Sequence, residues 1–320
     1  MRAVVAGGAG FIGSHLCARL LADGLEVVAL DNLLTGDRRN LVALQGRAGF
    51  TLIETDITRP LPDIDNVDLV FHLASPASPP GYMRYPIETA LANSQGSHRL
   101  LELAERHRAR YLMASTSEAY GDPLEHPQRE SYWGNVDPVG ERACYDESKR
   151  YAEMIAMVYH HTRDVDTRVV RIFNTYGPHS DPEDGRIIPQ FVSQALRAEP
   201  ITVHGDGSQT RSFCFVSDLI EGLMRAMLRG RTRGQVINLG NPDERSVLEI
   251  ARIIARIADT GAPIIHVDQA RVGDPRRRCP DIGRATALLE WEPRVGLEVG
   301  LRHTVDWFRE RLAVPAPIGG

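Results

Sequence analysis

Three glycines at a spacing of three, Gly7, Gly10 and Gly13, stand between a β-branched run (Ala3–Ala6) and a segment of helical periodicity (Phe11–Leu21). Strand, glycine turn and helix in that order let the backbone approach a pyrophosphate, whose charge then sits at the helix N-terminus. The glycine spacing alone is a loose pattern. Asp31 strengthens it, because it closes the next apolar run, Glu26–Leu30, eighteen residues beyond Gly13. A carboxylate there accepts hydrogen bonds from an adenosine ribose and repels a 2′-phosphate, so the pattern predicts NAD rather than NADP. Asp56, after the third strand, is placed either to reach the adenine or to cap a helix.

The same alternation continues along the chain. Strands are expected at Phe50–Glu54, Asp68–Leu73, Tyr111–Ser115 and Thr167–Ile172, with a short polar helix near Arg38–Leu44 and long helices at Pro86–His107 and Tyr145–His161. Strands separated by helices of this length imply parallel β-α-β units, and hence an α/β fold built on a doubly wound parallel sheet of the Rossmann type. After about Phe173 the rhythm breaks into turn clusters at Tyr176–Gly185 and Gly205–Ser208, around an expected helix at Ile187–Arg197. A strand at Val236–Leu239, a helix at Val247–Ile257 and Pro-rich turns near Asp274–Pro280 follow. We read residues 1–173 with about 214–240 as the nucleotide domain. A smaller interleaved α/β lobe for the substrate takes about 174–213 with 241–313, and 314–320 forms a flexible tail.

Composition narrows the function classes. The chain of 320 residues carries a net charge of −5, which gives no electrostatic case for nucleic acid or an anionic membrane. Its four cysteines lie far apart without a C-x-x-C pair, so neither a zinc knuckle nor a disulfide framework is expected. His160-His161 has no partner at ligand spacing, and no metal site is expected. Apolar runs fall short of the ~18–20 residues of a membrane span. Met1-Arg2 leads straight into the first strand, so a secretion signal is not expected and the chain is expected in the cytoplasm.

Of the 37 basic residues only one, Lys149, is lysine. Arginine has replaced it wherever a guanidinium serves, so the survivor marks a place where a compact ammonium is needed. It stands four residues after Tyr145 (Y-D-E-S-K), on one face of the expected helix. A free phenol titrates near 10. A neighbouring ammonium, together with a positive nicotinamide ring, is expected to lower that value and make Tyr145 a base, while Lys149 also holds the nicotinamide ribose. Thr116 and Glu118 follow the strand Tyr111–Ser115, at the sheet edge where ligands bind. Two apart in extended chain, both are expected to face the pocket. The hydroxyl is suited to holding a sugar oxygen, and the carboxylate to orienting the sugar or moving a proton.

Taken together, GGAGFIGS, Asp31, STSEAYG and Y-x-x-x-K resemble the extended short-chain dehydrogenase/reductase superfamily. Within it, the chain is similar to the UDP-glucuronic acid decarboxylases over about residues 2–310. The segments carrying the likeness include DNLLTGDRRN (Asp31–Asn40), HLASPASP (His72–Pro79), ASTSEAYGDP (Ala114–Pro123), RACYDESKR (Arg142–Arg150) and GDGSQTRSF (Gly205–Phe213). Sister 4-epimerases usually lack a glutamate in the S-T-S-E slot. The resemblance implies decarboxylation of UDP-glucuronate to UDP-xylose through a 4-keto sugar, with NAD recycled. It assigns catalysis to Tyr145, Lys149, Thr116, Glu118 and Arg278, the last in D-P-x-x-R-x-P-D (Asp274–Asp281). The cofactor would be held by Gly7, Gly10, Phe11, Ile12, Gly13, Asp31, Asn32, Thr35, Gly36, Asp56, Ile57, Leu73, Ala74, Ser75 and Lys149. The UDP-sugar would be held by Tyr82, Asn93, Asn174, Arg186, Arg211 and Arg278. It also implies a homodimer formed through the helices near Pro86–His107 and Tyr145–His161.

Three positions depart from the family pattern. Glu88 stands where the family usually has lysine. Arg84, four residues earlier on what is expected to be the same helical face, is the expected compensation. Ser148 replaces a common glycine, and Cys279 a basic residue. The alternatives are a UDP-uronate or UDP-hexose 4-epimerase, built on the same oxidising machinery, and a non-catalytic NAD-binding sensor or scaffold.

Overall fold

The computed structural model describes residues 1–268 and 277–313. Six strands, β1 (Arg2–Ala6), β2 (Glu26–Asp31), β3 (Phe50–Glu54), β4 (Leu69–His72), β5 (Arg110–Thr116) and β6 (Asp166–Ile172), join the strand Val236–Leu239 in one parallel sheet. The order is Val236–Leu239, β6, β5, β4, β1, β2, β3. Alternate residues of β1 serve opposite faces. Ala3 and Val5 join a core with Leu16, Leu20 and Leu219, whereas Val4 and Ala6 join one with Leu100, Leu101 and Ala152. Burial on both faces accounts for the unbroken apolar runs. The strand order reverses between β1 and β4, so the crevice at their C-terminal ends is where a ligand is received. Ala6 lies opposite Leu30 on one side and His72 on the other, which brings the glycine turn beside both Asp31 and the chain after His72.

The smaller elements gather beside that edge. Strands Ile201–His204 and Ile264–Val267 pair in parallel, and Thr210–Ser212 is flanked by Glu244–Ser246 and Arg277–Arg278. This last pairing sets Arg278 directly opposite Arg211. The helices Val216–Leu228 and Leu297–Ala313 are not foreseen in the sequence reading. Asp274–Arg276 of the D-P-x-x-R motif and the expected tail 314–320 lie outside the described residues.

Two local expectations are corrected. The stretch 86–107 is two helices, Pro86–Asn93 and Gln95–His107, bent at Ser94. A separate helix, Pro79–Arg84, ends at Tyr85, whose backbone (φ −127°, ψ 58°) is not helical. Pro86 explains the break, because a proline ring clashes with a helical residue before it. Arg84 and Glu88 therefore sit on different helices. In the other correction, Thr116 and Glu118 are not in extended chain. Ser117–Tyr120 forms a 3-10 turn, and the Thr116 hydroxyl caps it by accepting from the Glu118 N–H at 3.1 Å.

Candidate functional site

A cavity of about 330 Å³ opens at the switch point. Its walls include Gly7, Gly10, Asp31, Asn32, Thr35, Gly36, Asp56, Ile57, Leu73, Ala74 and Ser75 from the expected cofactor set. Phe11, Ile12, Gly13 and Lys149 are not among its walls; the first three belong to the helix Phe11–Ala22, which begins after Gly10. The glycine turn fits a dinucleotide for steric reasons. Gly7 has φ +83°, and a Cβ on it would lie 2.8 Å from the Leu73 and Ala74 backbone. A Cβ on Gly13 would lie 1.9 Å from the Gly7 carbonyl oxygen. Asp31 accepts from the N–H groups of Ala9 (2.8 Å) and Leu33 (2.9 Å), which fix its carboxylate at the wall with lone pairs to spare. Burial pushes its pKa up and those two hydrogen bonds pull it back. The walls also include Glu88, together with Thr55, Arg59 and Leu91, which the sequence reading did not assign to the cofactor.

Tyr145 and Lys149 lie on the helix Ala143–Arg163, both buried. The Tyr145 ring stacks on Tyr82, with centroids 4.9 Å apart and planes 9° from parallel. Lys149 Nζ lies 5.9 Å from the Tyr145 ring centroid and donates to the Ala114 carbonyl at 2.9 Å. Burial lowers the Lys149 pKa to about 7, with Glu153 acting in the opposite sense. The phenol departs from expectation. Burial raises the Tyr145 pKa, and what pulls it back is a hydrogen bond from Thr116 and the charges of Arg186 and Arg142. Lys149 is not among the leading influences on the phenol.

Glu118 bridges two arginines, with one oxygen paired to Arg278 and the other to Arg142. Arg278 also donates to the Gly121 carbonyl at 3.2 Å, and burial lowers its pKa to about 10. Arg142 in turn lies over the Tyr82 ring, 5.9 Å from its centroid. One chain of contacts thus runs from Arg278 through Glu118 and Arg142 to Tyr82 and Tyr145. Arg142 escaped the sequence reading, although it stands three residues before Tyr145 on the same helical approach.

The substrate set divides. Arg186 approaches Tyr145 and is paired with Asp184. Arg211 is buried and donates to the Thr210 carbonyl at 2.7 Å, and Asn174 is half-buried beside Cys214. Asn93 is fully buried, with its amide N–H groups placed against Ser75 Oγ (3.0 Å), Ser148 Oγ (3.0 Å) and the Thr89 carbonyl (3.1 Å). It therefore ties the cofactor loop to the Tyr145 helix, and Ser148 has a use that a glycine would lack. Arg84 and Glu88 do not share the one helical face expected of them, since they stand on separate helices. Arg84 lies over the Tyr85 ring at 5.3 Å while Glu88 lines the cavity. The ligand atoms of His126, Glu244 and Cys279 lie within 4.8 Å of one another. The guanidinium of Arg277, 2.7 Å from His126 and 3.3 Å from Glu244, already supplies the positive charge there.

Residues 3–240 match the family model described as the NAD dependent epimerase/dehydratase family. The chain belongs to that family. Among its relatives, the protein named UDP-glucuronic acid decarboxylase 1 from Arabidopsis thaliana is 49% identical over 312 residues, 98% of this chain and 71% of that protein. UDP-glucuronic acid decarboxylase 6 from the same plant is 48% identical over 316 residues, 98% of this chain and 91% of that protein. The fold superposes on UDP-glucuronic acid 4-epimerase from Bacillus cereus, solved with UDP-glucuronic acid and NAD. The TM-score is 0.85 at 28% identity, covering 97% of this chain and all of that one. UDP-glucose 4-epimerase from Thermotoga maritima gives 0.86 at 29% identity, covering 98% and 100%. The family's doubly wound fold and its cofactor, NAD, are those expected from the glycine turn. Among the described residues no helix is long and apolar enough to cross a membrane.

Proposed function

We propose that this chain converts UDP-glucuronate to UDP-xylose and CO₂ through a 4-keto sugar. The observation that carries the reading is Glu118, a carboxylate held between Arg142 and Arg278 two residues after Thr116, whose hydroxyl accepts from the Glu118 N–H. Tyr145 removes the proton of the sugar 4-hydroxyl, and Thr116 steadies the phenolate by donating to it. NAD, when bound, supplies the acceptor and later the donor of hydride at C4. Lys149 holds the nicotinamide ribose with the N–H groups not given to Ala114. The 4-keto uronate is a β-keto acid, so when the bond to CO₂ breaks its electrons pass into the ketone as an enolate. Arg278, with Arg142 behind Glu118, stabilises the negative charge that develops. Glu118 orients the sugar and serves the proton return to C5. Asp31 and the glycine turn hold the adenosine and pyrophosphate, while Arg186, Arg211, Asn174 and Tyr82 receive the UDP-sugar.

Feeding purified protein UDP-glucuronate labelled at the carboxyl carbon tests this. Labelled CO₂ is expected, and full retention of label in the nucleotide sugar contradicts the reading. The epimerase reading is kept by one observation, the fold shared with an epimerase that binds the same uronate. A non-catalytic NAD binder would have no use for a buried phenol and amine side by side.

The wider organisation is part of the same proposal. A homodimer is supported by Met154 and Val158, apolar and exposed on the outer side of the Ala143–Arg163 helix. A cytoplasmic location is supported by four cysteines that are all free. The division into a nucleotide domain and an interleaved substrate lobe is supported by Val236–Leu239 returning to the edge of the large sheet.

A further inference from the structure

Tyr145, Lys149 and Glu153 stand at intervals of four on one helix, so they form a single stripe along its inner face. That stripe meets the end of β5 residue by residue. Thr116 acts on the Tyr145 phenol to favour its charged form, Lys149 donates to the Ala114 carbonyl at 2.9 Å, and Glu153 Oε1 accepts from the Ser115 hydroxyl at 2.5 Å. Glu153 is also gripped from β6, where Arg171 reaches it through both forks, Nε to Oε1 at 2.9 Å and a terminal nitrogen to Oε2 at 2.7 Å. Arg171 is fixed in turn over the Tyr120 ring, 4.7 Å from its centroid, and the Tyr120 hydroxyl donates to Asn238 at 2.8 Å. Both partners of this ion pair are almost fully buried, with side chains 11% exposed.

We propose that Glu153 is a positioning residue for the reactive pair. Clamped by Ser115 and Arg171, its carboxylate supplies the negative charge that lets Lys149 remain an ammonium inside the fold. A buried ion pair of this kind need not add stability, because desolvation offsets much of the attraction. A use one helical turn from the only lysine gives it a reason to be there. Among the described residues, the titratable and charged groups around Lys149 are few. Tyr145 and Glu153 share its helix, His72 faces it from the end of β4, and Arg171 with Tyr120 lies beyond Glu153. His72 is fully buried with its pKa lowered to about 3, so it contributes no charge at neutral pH. Glu153 is the acid among them, and burial is what it opposes.

The single lysine makes the test direct. Full-length protein without added lysines, grown with lysine labelled with ¹⁵N at Nζ, gives one side-chain resonance that needs no assignment. Its midpoint is followed against pH in wild type and in Glu153→Gln. Loss of an opposite charge at this range is expected to lower the midpoint by about one unit, which reduces the charged fraction near neutrality about fivefold. An unchanged midpoint with a lowered melting temperature overturns the proposal, because Glu153 would then only fasten helix to sheet. Should Glu153→Gln fail to fold, Arg171→Gln, which takes the counter-charge from the Glu153 carboxylate, carries the test in the opposite sense: a raised midpoint is expected, and an unchanged one overturns the proposal. The inference rests on the proposed role of Tyr145 and Lys149, yet the titration needs no substrate. A shifted midpoint in a protein that releases no CO₂ would overturn the decarboxylase reading and leave this one standing.

Discussion

The rings of Tyr82 and Tyr145 lie face to face, 4.9 Å between centroids and 9° from parallel, which fixes the plane of the phenol before any sugar arrives. The stack needs only the ring, whereas the proposed chemistry needs the hydroxyl. Tyr145→Phe is therefore expected to keep its melting temperature and lose about a thousandfold in turnover. Thermal melting and steady-state rates on the same preparation check it. A large loss of stability, or a rate near that of wild type, would contradict the assignment.

Glu118 joins two guanidinium groups that would otherwise repel one another. Glu118→Ala leaves Arg142 and Arg278 without their shared carboxylate, and is expected to cost about 3 kcal/mol of stability as well as activity. Glu118→Gln keeps the shape and removes the charge. It is expected to bind UDP normally and to lose turnover. Denaturant titration and calorimetry with UDP separate the two effects.

Lys149 ties stability to pH. Its folded pKa, near 7, lies below the ordinary 10.5. Between those values the unfolded chain holds more protons than the folded one, so the contribution of this residue rises with pH through that window and is smallest below it. Lys149→Met removes the burden of the buried charge. The variant is expected to melt above wild type on the acid side of the window, and the gap is expected to close as pH climbs toward the upper value. Parallel melting curves across the range would contradict the burial argument.

Arg84 is the residue whose sequence position misleads. Glu88 lies four residues on, which would make a helical pair, yet Pro86 ends the first helix and the guanidinium turns to Tyr85. Arg84→Ala is expected to leave the KM for UDP-glucuronate within about twofold, the usual scale for an exposed charge. Glu88→Lys reverses the charge on the cavity wall and is expected to tighten NAD, read by fluorescence titration.

These cases show what could be read from the chain and what could not. Gly7, Gly13 and Asp31 were legible because their work is local, in a turn that a Cβ would block and a carboxylate at a strand end. Tyr145 and Lys149 were legible from one helical spacing and a compositional oddity. The rest depended on partners distant in sequence. Arg142 matters through Glu118 and Tyr82, and the rise in the phenol pKa comes from burial, which no spacing reveals. Asn93 carries a substrate-binding expectation, yet its amide faces Ser75 and Ser148. The break at Tyr85 follows from Pro86 rather than from periodicity.

The central claim, oxidation at C4 followed by loss of the carboxyl group, is tested most directly by running the reaction in heavy water and examining the nucleotide sugar by NMR and mass. The account predicts UDP-xylose, lighter by one CO₂ and carrying a single deuterium at C5. UDP-galacturonate of unchanged carbon content would contradict it.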